Sequence, residues 1–389
     1  MLNLIESILI LLAVAIGLGE VFNLLNLPEV VGAIIAGVIL GPAVFGVLTP
    51  NTDFSTIDEI ALFFIILQIG IEASSDVFTL SIGYMLRFTF LAFLVPLAIM
   101  TTGAHFIFHV TFLRSLIVSL AVAIPSISIT SVLLIKSGLI KAEAGLKLLG
   151  GVALSDLIAF VILSSVGSTS WRIAEVAASL TAFIIFLGVF DRYLKLRSEG
   201  LIHGAERFME RREGLVFAIV IIMGLAVSSL FEYIGITFVL GAFFSGLIIH
   251  RNTVGERVHG TLMRTFQRIN NSFFIPIFFS ISGLLVTRLP ITLIPLASFL
   301  VIVTSVVGGT LSYLIAKRLL REIRPATALG IFGGRGAVGV IIATISLSRG
   351  LISDELYSMA MMATVVMAIV FTFIFDLSMR GRAIAISSK

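Results

Sequence analysis

Apolar runs of about 20 residues, the length that crosses a bilayer as a helix, alternate with short polar breaks along all 389 residues of the chain. Cutting at polar clusters, prolines and glycines predicts thirteen segments. They lie near 5–24, 28–46, 57–74, 82–107, 114–135, 143–166, 174–194, 213–230, 233–250, 264–286, 290–316, 325–348 and 355–379, and are numbered one to thirteen in chain order. The longest polar connection runs from Asp191 to Glu213 and divides the chain near its middle. No connection is long enough for an attached soluble or regulatory domain, so 1–389 reads as a single transmembrane unit. Segment one follows Met1-Leu2-Asn3-Leu4 without a basic stretch, which predicts a retained helix and not a cleaved signal.

Charge placement orients the segments. Connections after odd-numbered segments, counted with the segment ends that flank them and the C-terminal tail, hold twenty basic residues; those after even-numbered segments, counted likewise, hold Arg114, Arg172, Arg288 and Arg349. The positive-inside rule then places the N-terminus outside and the C-terminus in the cytoplasm. A miscounted segment would scramble the alternation beyond it. The basic stretch from Arg192 to Arg212 reads as a cytoplasmic loop near anionic lipid.

Composition narrows the class. Hydrophobic residues make up 58% of the chain and charged ones 12%, with a mean hydropathy of +1.16. A soluble domain is about one quarter charged, so this is an integral all-α membrane protein. The absence of cysteine removes disulfide and thiolate–metal chemistry. The net charge of +4 follows the loops and does not suggest nucleic acid. Gly333-Gly334-Arg335-Gly336 lacks the lysine context of a phosphate-binding loop, and no hydrolase motif stands out. Neither an enzyme nor a resident cofactor is expected.

The two halves repeat. Segment two carries Gly32-Ala33-Ile34-Ile35-Ala36-Gly37 and segment nine Gly241-Ala242-Phe243-Phe244-Ser245-Gly246, an offset of 209 residues. Gly70 in segment three matches Gly283 in segment ten at an offset of 213. Seven segments separate the halves, so the copies have opposite orientations: a first repeat of about 28–166 and a second of about 233–379. Inverted repeats are the signature of secondary transporters, whose sites lie at broken helices near mid-membrane. The same offset pairs segment five, interrupted at Ile124-Pro125-Ser126, with segment twelve, interrupted at Gly333-Gly334-Arg335-Gly336.

Asp156 stands in an otherwise apolar run, Gly150-Gly151-Val152-Ala153-Leu154-Ser155-Asp156-Leu157-Ile158. A carboxylate at that depth costs roughly 2.5–3.5 kcal/mol on insertion scales and marks a group that handles an ion or a proton. A static salt bridge with Arg335 is the competing reading. Arg335 itself stays protonated, and so reads as a fixed charge and not a proton carrier. Glu72 reads equally as a second cation ligand or a solvated helix end. Ser126, Ser128, Thr130 and Ser155 offer oxygens suited to Na⁺ or K⁺, although such hydroxyls more often cap backbone carbonyls. Glu20 and Asp376 fall near helix ends, and His105 and His109 near the outer surface.

Several motifs in order carry a family resemblance. Pro28-Glu29-Val30-Val31-Gly32 through Gly37-Val38-Ile39-Leu40-Gly41-Pro42, Phe63-Phe64 to Gly70-Ile71-Glu72, Leu240 to Gly246, and Phe278-Phe279-Ser280-Ile281-Ser282-Gly283 resemble those of the monovalent cation:proton antiporter-2 branch of the sodium/proton exchanger superfamily. The resemblance implies a homodimer in a prokaryotic plasma membrane. Each protomer would have moving core segments (about 82–166 and 290–379) and scaffold segments (about 5–74 and 174–286). It implies crossed, broken segments five and twelve, with Asp156 as the ion-binding acid after Ser155. Ser126, Ser128 and Thr130 fall on the hydroxylated break, and Arg335 on the buried arginine. The chain departs from relatives in having Ser155 where they carry Asp, Asn or Gln. It also lacks a basic residue in segment eleven.

The expectation is Na⁺/H⁺ exchange at Asp156, electroneutral because one acid titrates, with elevator-type alternating access. The alternative is K⁺/H⁺ exchange or K⁺ efflux on the same residues. A passive channel would need a continuous polar pore, whereas polar groups cluster only at mid-depth; a non-transporting sensor would show no cation-dependent flux.

Overall fold

The computed structural model describes residues 3–74, 82–125, 130, 133–134, 143–166, 213–233, 237–249, 254–319, 325–333 and 335–387. All regular structure among them is helical. Segment seven, with its core-or-scaffold assignment, lies outside the described residues. Each other predicted segment contains helix among the described residues. Seven helices among the described residues are long and apolar enough to cross a membrane. Shorter apolar helices are Glu29–Leu40, Phe112–Ala123, Phe238–Ile248 and Ala337–Ser348. They belong to segments two, five, nine and twelve, which the repeat pairs two with nine and five with twelve.

Local chemistry sets several helix ends. Segment one (Leu4–Leu24) opens with a capping box: the Asn3 side chain accepts from Glu6 N–H and the Glu6 carboxylate accepts from Asn3 N–H, both at 2.9 Å. Segment two starts after Pro28 and stops at Gly41. Asn51 accepts from Phe54 N–H at the start of segment three (Thr52–Ser74). Thr237 caps segment nine (Phe238–Ile248).

Among the described residues, three helices contain a π turn: Phe90–Leu94 in segment four, Asn270–Phe274 in segment ten and Thr304–Gly308 in segment eleven. Pro96 and Pro276 each follow two residues beyond a π turn. Proline lacks the N–H that would close the next helical turn, and a widened turn upstream absorbs the mismatch. The turns at 90–94 and 304–308 fall at equivalent places in the two repeats.

The chain forms two compact units. Unit 1 comprises Met1–Asp58, Leu80–Ala159 and Pro276–Lys389; unit 2 comprises Glu59–Thr79 and Phe160–Ile275. Within unit 1, segment two crosses segment ten so closely that a Cβ on Gly37 would stand 2.8 Å from Gly283 Cα. Within unit 2, segment three crosses segment nine, and a Cβ on Gly70 would stand 2.9 Å from Gly246 Cα. Gly37 and Gly246 are repeat partners, as are Gly70 and Gly283, so each crossing is the other's image. A Cβ on Gly32 would stand 2.6 Å from Leu18 O in unit 1, and one on Gly241 2.6 Å from Ser228 Cα in unit 2, which extends the correspondence to segments one and eight.

Candidate functional site

Segment five is helical from Phe112 to Ala123 and ends where Ile124 becomes extended (φ −67°, ψ 126°) before Pro125. The proline ring disfavours helical backbone in the residue ahead of it, so the sequence itself places the break. Thr130 beyond it is helical and fully buried. Ser126 and Ser128 lie outside the described residues. Segment twelve is divided into Pro325–Gly333 and Ala337–Ser348, with Arg335 and Gly336 between the halves. The two broken segments touch: a Cβ on Gly339 would overlap the Ala121 carbonyl oxygen. Only a glycine permits that approach.

Arg335 is 1% exposed and among the largest fully buried side chains. Its guanidinium reaches segment eleven, where Nη2 would stand 3.3 Å from a Cβ on Gly308. The same point on Gly308 lies 3.4 Å from Pro96 and 3.7 Å from Ala92 O. The cation therefore reaches from the break in segment twelve to the π turn of segment eleven, which packs against segment four. Even a methyl at 308 would press on it.

Asp156 lies on the helix Glu143–Ser165, 0% exposed, with both carboxylate oxygens shielded from solvent. One turn earlier that helix is fastened to segment four. A Cβ on Gly151 would stand 2.5 Å from the Phe88 ring, and the Thr89 hydroxyl donates to Gly151 O at 2.9 Å. Ser155 donates to Gly151 O at 2.8 Å and lies 3.4 Å from the Thr89 hydroxyl. Its proton is thus engaged by its own helix, and the oxygen retains acceptor capacity only. Asp156, Ser155, Thr130 and Arg335 all belong to unit 1 and all are buried.

Glu72 belongs to unit 2 and is half-buried. Gln68 Nε2 donates to its carboxylate at 2.8 Å, and Gln267 is a further side-chain partner. Asn270, on the π turn of segment ten and 0% exposed, donates to Gln68 Oε1 at 2.6 Å and to Phe64 O at 3.0 Å. The acid therefore ends a chain of amides joining segments three and ten. Glu20 is exposed, Asp376 half-buried, His109 exposed, and His105 Nδ1 lies 2.9 Å from Val110 O.

Sequence reasoning missed Thr89, Gln68, Gln267 and Asn270. Gln68 could have been found, because it precedes Glu72 by one helical turn on the same face. Thr89 and Asn270 act on residues distant in the chain and leave no local pattern. Among the described residues, no group of three or more His, Asp or Glu is placed to hold a metal ion. A cation at Asp156 would rest on one carboxylate and neutral oxygens.

Residues 8–380 match the profile of the transmembrane sodium/hydrogen exchanger family. The chain is 26% identical to a Na⁺/H⁺ antiporter of Enterococcus hirae, over 90% of this chain and 91% of that one. It is also 26% identical to a Na⁺/H⁺ antiporter of Synechocystis, over 96% and 95%. A K⁺/H⁺ antiporter of Saccharomyces cerevisiae is 24% identical over 91% of this chain and 43% of its own length. In three dimensions the chain resembles a sodium proton antiporter of Methanocaldococcus jannaschii solved at pH 8, with a TM-score of 0.61, 13% identity and 97% coverage of each chain.

Proposed function

We propose, for a chain that belongs to the transmembrane sodium/hydrogen exchanger family, that it exchanges Na⁺ for H⁺ across a prokaryotic plasma membrane at Asp156. It is a multi-pass membrane transporter of the antiporter class and not an enzyme. The observation that carries the reading is a fully buried carboxylate in an apolar helix, within the same unit as both broken segments. The relatives named as Na⁺/H⁺ antiporters support the choice of cation.

Competition at one carboxylate is sufficient for exchange. Asp156 accepts a proton or a dehydrated cation, and either neutralises it; the empty anion stays behind because its desolvation is uncompensated. The core segments, 82–166 and 290–379, carry the loaded site past the scaffold segments, 5–74 and 174–286, in an elevator motion. The site then faces each side in turn. Arg335 supplies a fixed positive charge beside the π turn of segment eleven, and Thr130 with the hydroxylated break supplies neutral oxygens. Glu72, held by amides in unit 2, is an accessory cation-attracting group. One titrating acid makes the exchange one for one and electroneutral. The N-terminus lies outside, the C-terminus in the cytoplasm, and the transporter works as a homodimer in lipid.

Proteoliposomes with an internal pH dye test this reading. Pulses of Na⁺ or Li⁺ move protons in the wild type, an imposed membrane potential leaves the rate unchanged, and Asp156→Ala is inactive. Full-rate exchange by Asp156→Ala would overturn the site. A K⁺ or Rb⁺ response exceeding that to Na⁺ would favour the K⁺/H⁺ reading that the yeast relative supports.

A further inference from the structure

Segments ten, twelve and thirteen are joined within unit 1 by a closed set of hydroxyl hydrogen bonds. The Tyr357 hydroxyl, on the helix Asp354–Ser387, donates to Ser282 O at 2.6 Å. With its proton committed there, its oxygen accepts from Thr344 at 3.4 Å, and Thr344 in turn accepts from the Ser282 hydroxyl at 3.1 Å. A second contact lies beside the ring: Thr287 N–H donates to Ser358 Oγ at 2.8 Å, and the two hydroxyls are 3.1 Å apart. Ser282, Tyr357 and Ser358 are 0% exposed and Thr344 4%.

This junction differs in kind from its neighbour on segment ten. At Gly283, segment ten meets segment two through backbone atoms with no room to slide. At Ser282, and at Thr287 just beyond its end, it meets segments twelve and thirteen through neutral hydroxyls. Those are groups that water satisfies equally well once a contact opens, whereas a dry backbone-to-backbone crossing has no such substitute. By the charge pattern of the loops, the hydroxyl junction lies at the ends that face outside.

We infer that Tyr357, Thr344, Ser282, Thr287 and Ser358 form an outer latch that closes in one access state and must open for the transport cycle to proceed. The inference rests on the moving-core reading, in which segment ten belongs to the scaffold and segments twelve and thirteen to the core. Each cycle then breaks the Tyr357–Ser282 and Thr287–Ser358 bonds, hydrates the freed hydroxyls, and remakes the bonds on return.

The chain has no cysteine, so the double variant Thr287→Cys with Ser358→Cys is a clean probe in the full-length protein. The two hydroxyls are close enough for cysteine sulfurs in their places to bond. In proteoliposomes, oxidation is expected to form the disulfide, seen as a linked peptide by mass spectrometry, and to arrest exchange; reductant restores it. Each single variant keeps its activity under oxidant. Adding Tyr357→Phe slows formation of the disulfide about fivefold, the population change that one typical hydrogen bond supports. Continued exchange by the cross-linked protein, failure of the disulfide to form, or an unchanged rate with Tyr357→Phe would each overturn the latch. Exchange restored by reductant reports on the latch alone, whereas failure of the Asp156 reading would appear in the uncross-linked protein.

Discussion

Gly37 and Gly283 meet backbone to backbone: a Cβ on Gly37 would stand 2.8 Å from Gly283 Cα and would overlap the Ser280 carbonyl oxygen. Neither neighbour is a flexible side chain that can swing away. Gly37→Ala is therefore expected to destabilise the detergent-solubilised protein by about 1–3 kcal/mol, the usual range for overpacking. Gly17→Ala, mid-helix where nothing lies within 4 Å, serves as the control and leaves the thermal midpoint no lower than that of the wild type. Equal midpoints for the two variants would contradict the close crossing.

The repeat image of that crossing predicts a matched result. Gly246→Ala places its methyl 2.7 Å from Gly70 Cα and loses stability by a similar amount, about 1–3 kcal/mol. Because the crossings lie in different units and share no partner, the losses from Gly37→Ala and Gly246→Ala add in the double variant. A strongly sub-additive double variant would show that they are not independent welds.

Ser155 and Thr89 separate anchoring from transport. The Ser155 hydroxyl anchors its own helix through Gly151 O, and the oxygens proposed to hold the ion lie on segment five, so Ser155→Ala retains exchange within about threefold while losing a bond typically worth about 1 kcal/mol. Thr89→Val keeps the shape and removes the donor to Gly151 O; its thermal midpoint falls by the equivalent of about 1 kcal/mol. Abolished exchange in a stable Ser155→Ala protein would make that hydroxyl an obligatory ligand.

Glu72 carries the accessory role. Glu72→Gln keeps a partner for Gln68 but removes the charge, so the KM for Na⁺ rises several-fold with kcat preserved. Steady-state exchange over a range of Na⁺ concentrations makes the distinction. A collapse of kcat at saturating Na⁺ would move Glu72 into the transport step itself.

Much of the helical architecture was legible because bilayer spanning forces long apolar runs. Ile124-Pro125 and the glycines around Arg335 announced both breaks, since proline and glycine act on their own backbone. The glycine pattern of segments two and nine proved to be a packing device: the sequence showed that Gly37 and Gly246 correspond, but not that each finds its partner in the other repeat. Side-chain networks were the hidden part. Thr89 fixes a helix that begins more than fifty residues later, and Asn270 reaches Gln68 from the opposite half of the chain. Such pairings arise only once the fold brings distant residues together.

Proton release on ion binding probes the shared carboxylate most directly. Purified protein in weakly buffered detergent solution, titrated with Na⁺ near the working pH, is expected to release protons in proportion to ion bound, with one acid serving both. Asp156→Asn, which keeps the shape and removes the titrating group, is expected to release none. Undiminished proton release by a folded Asp156→Asn protein would contradict exchange at Asp156.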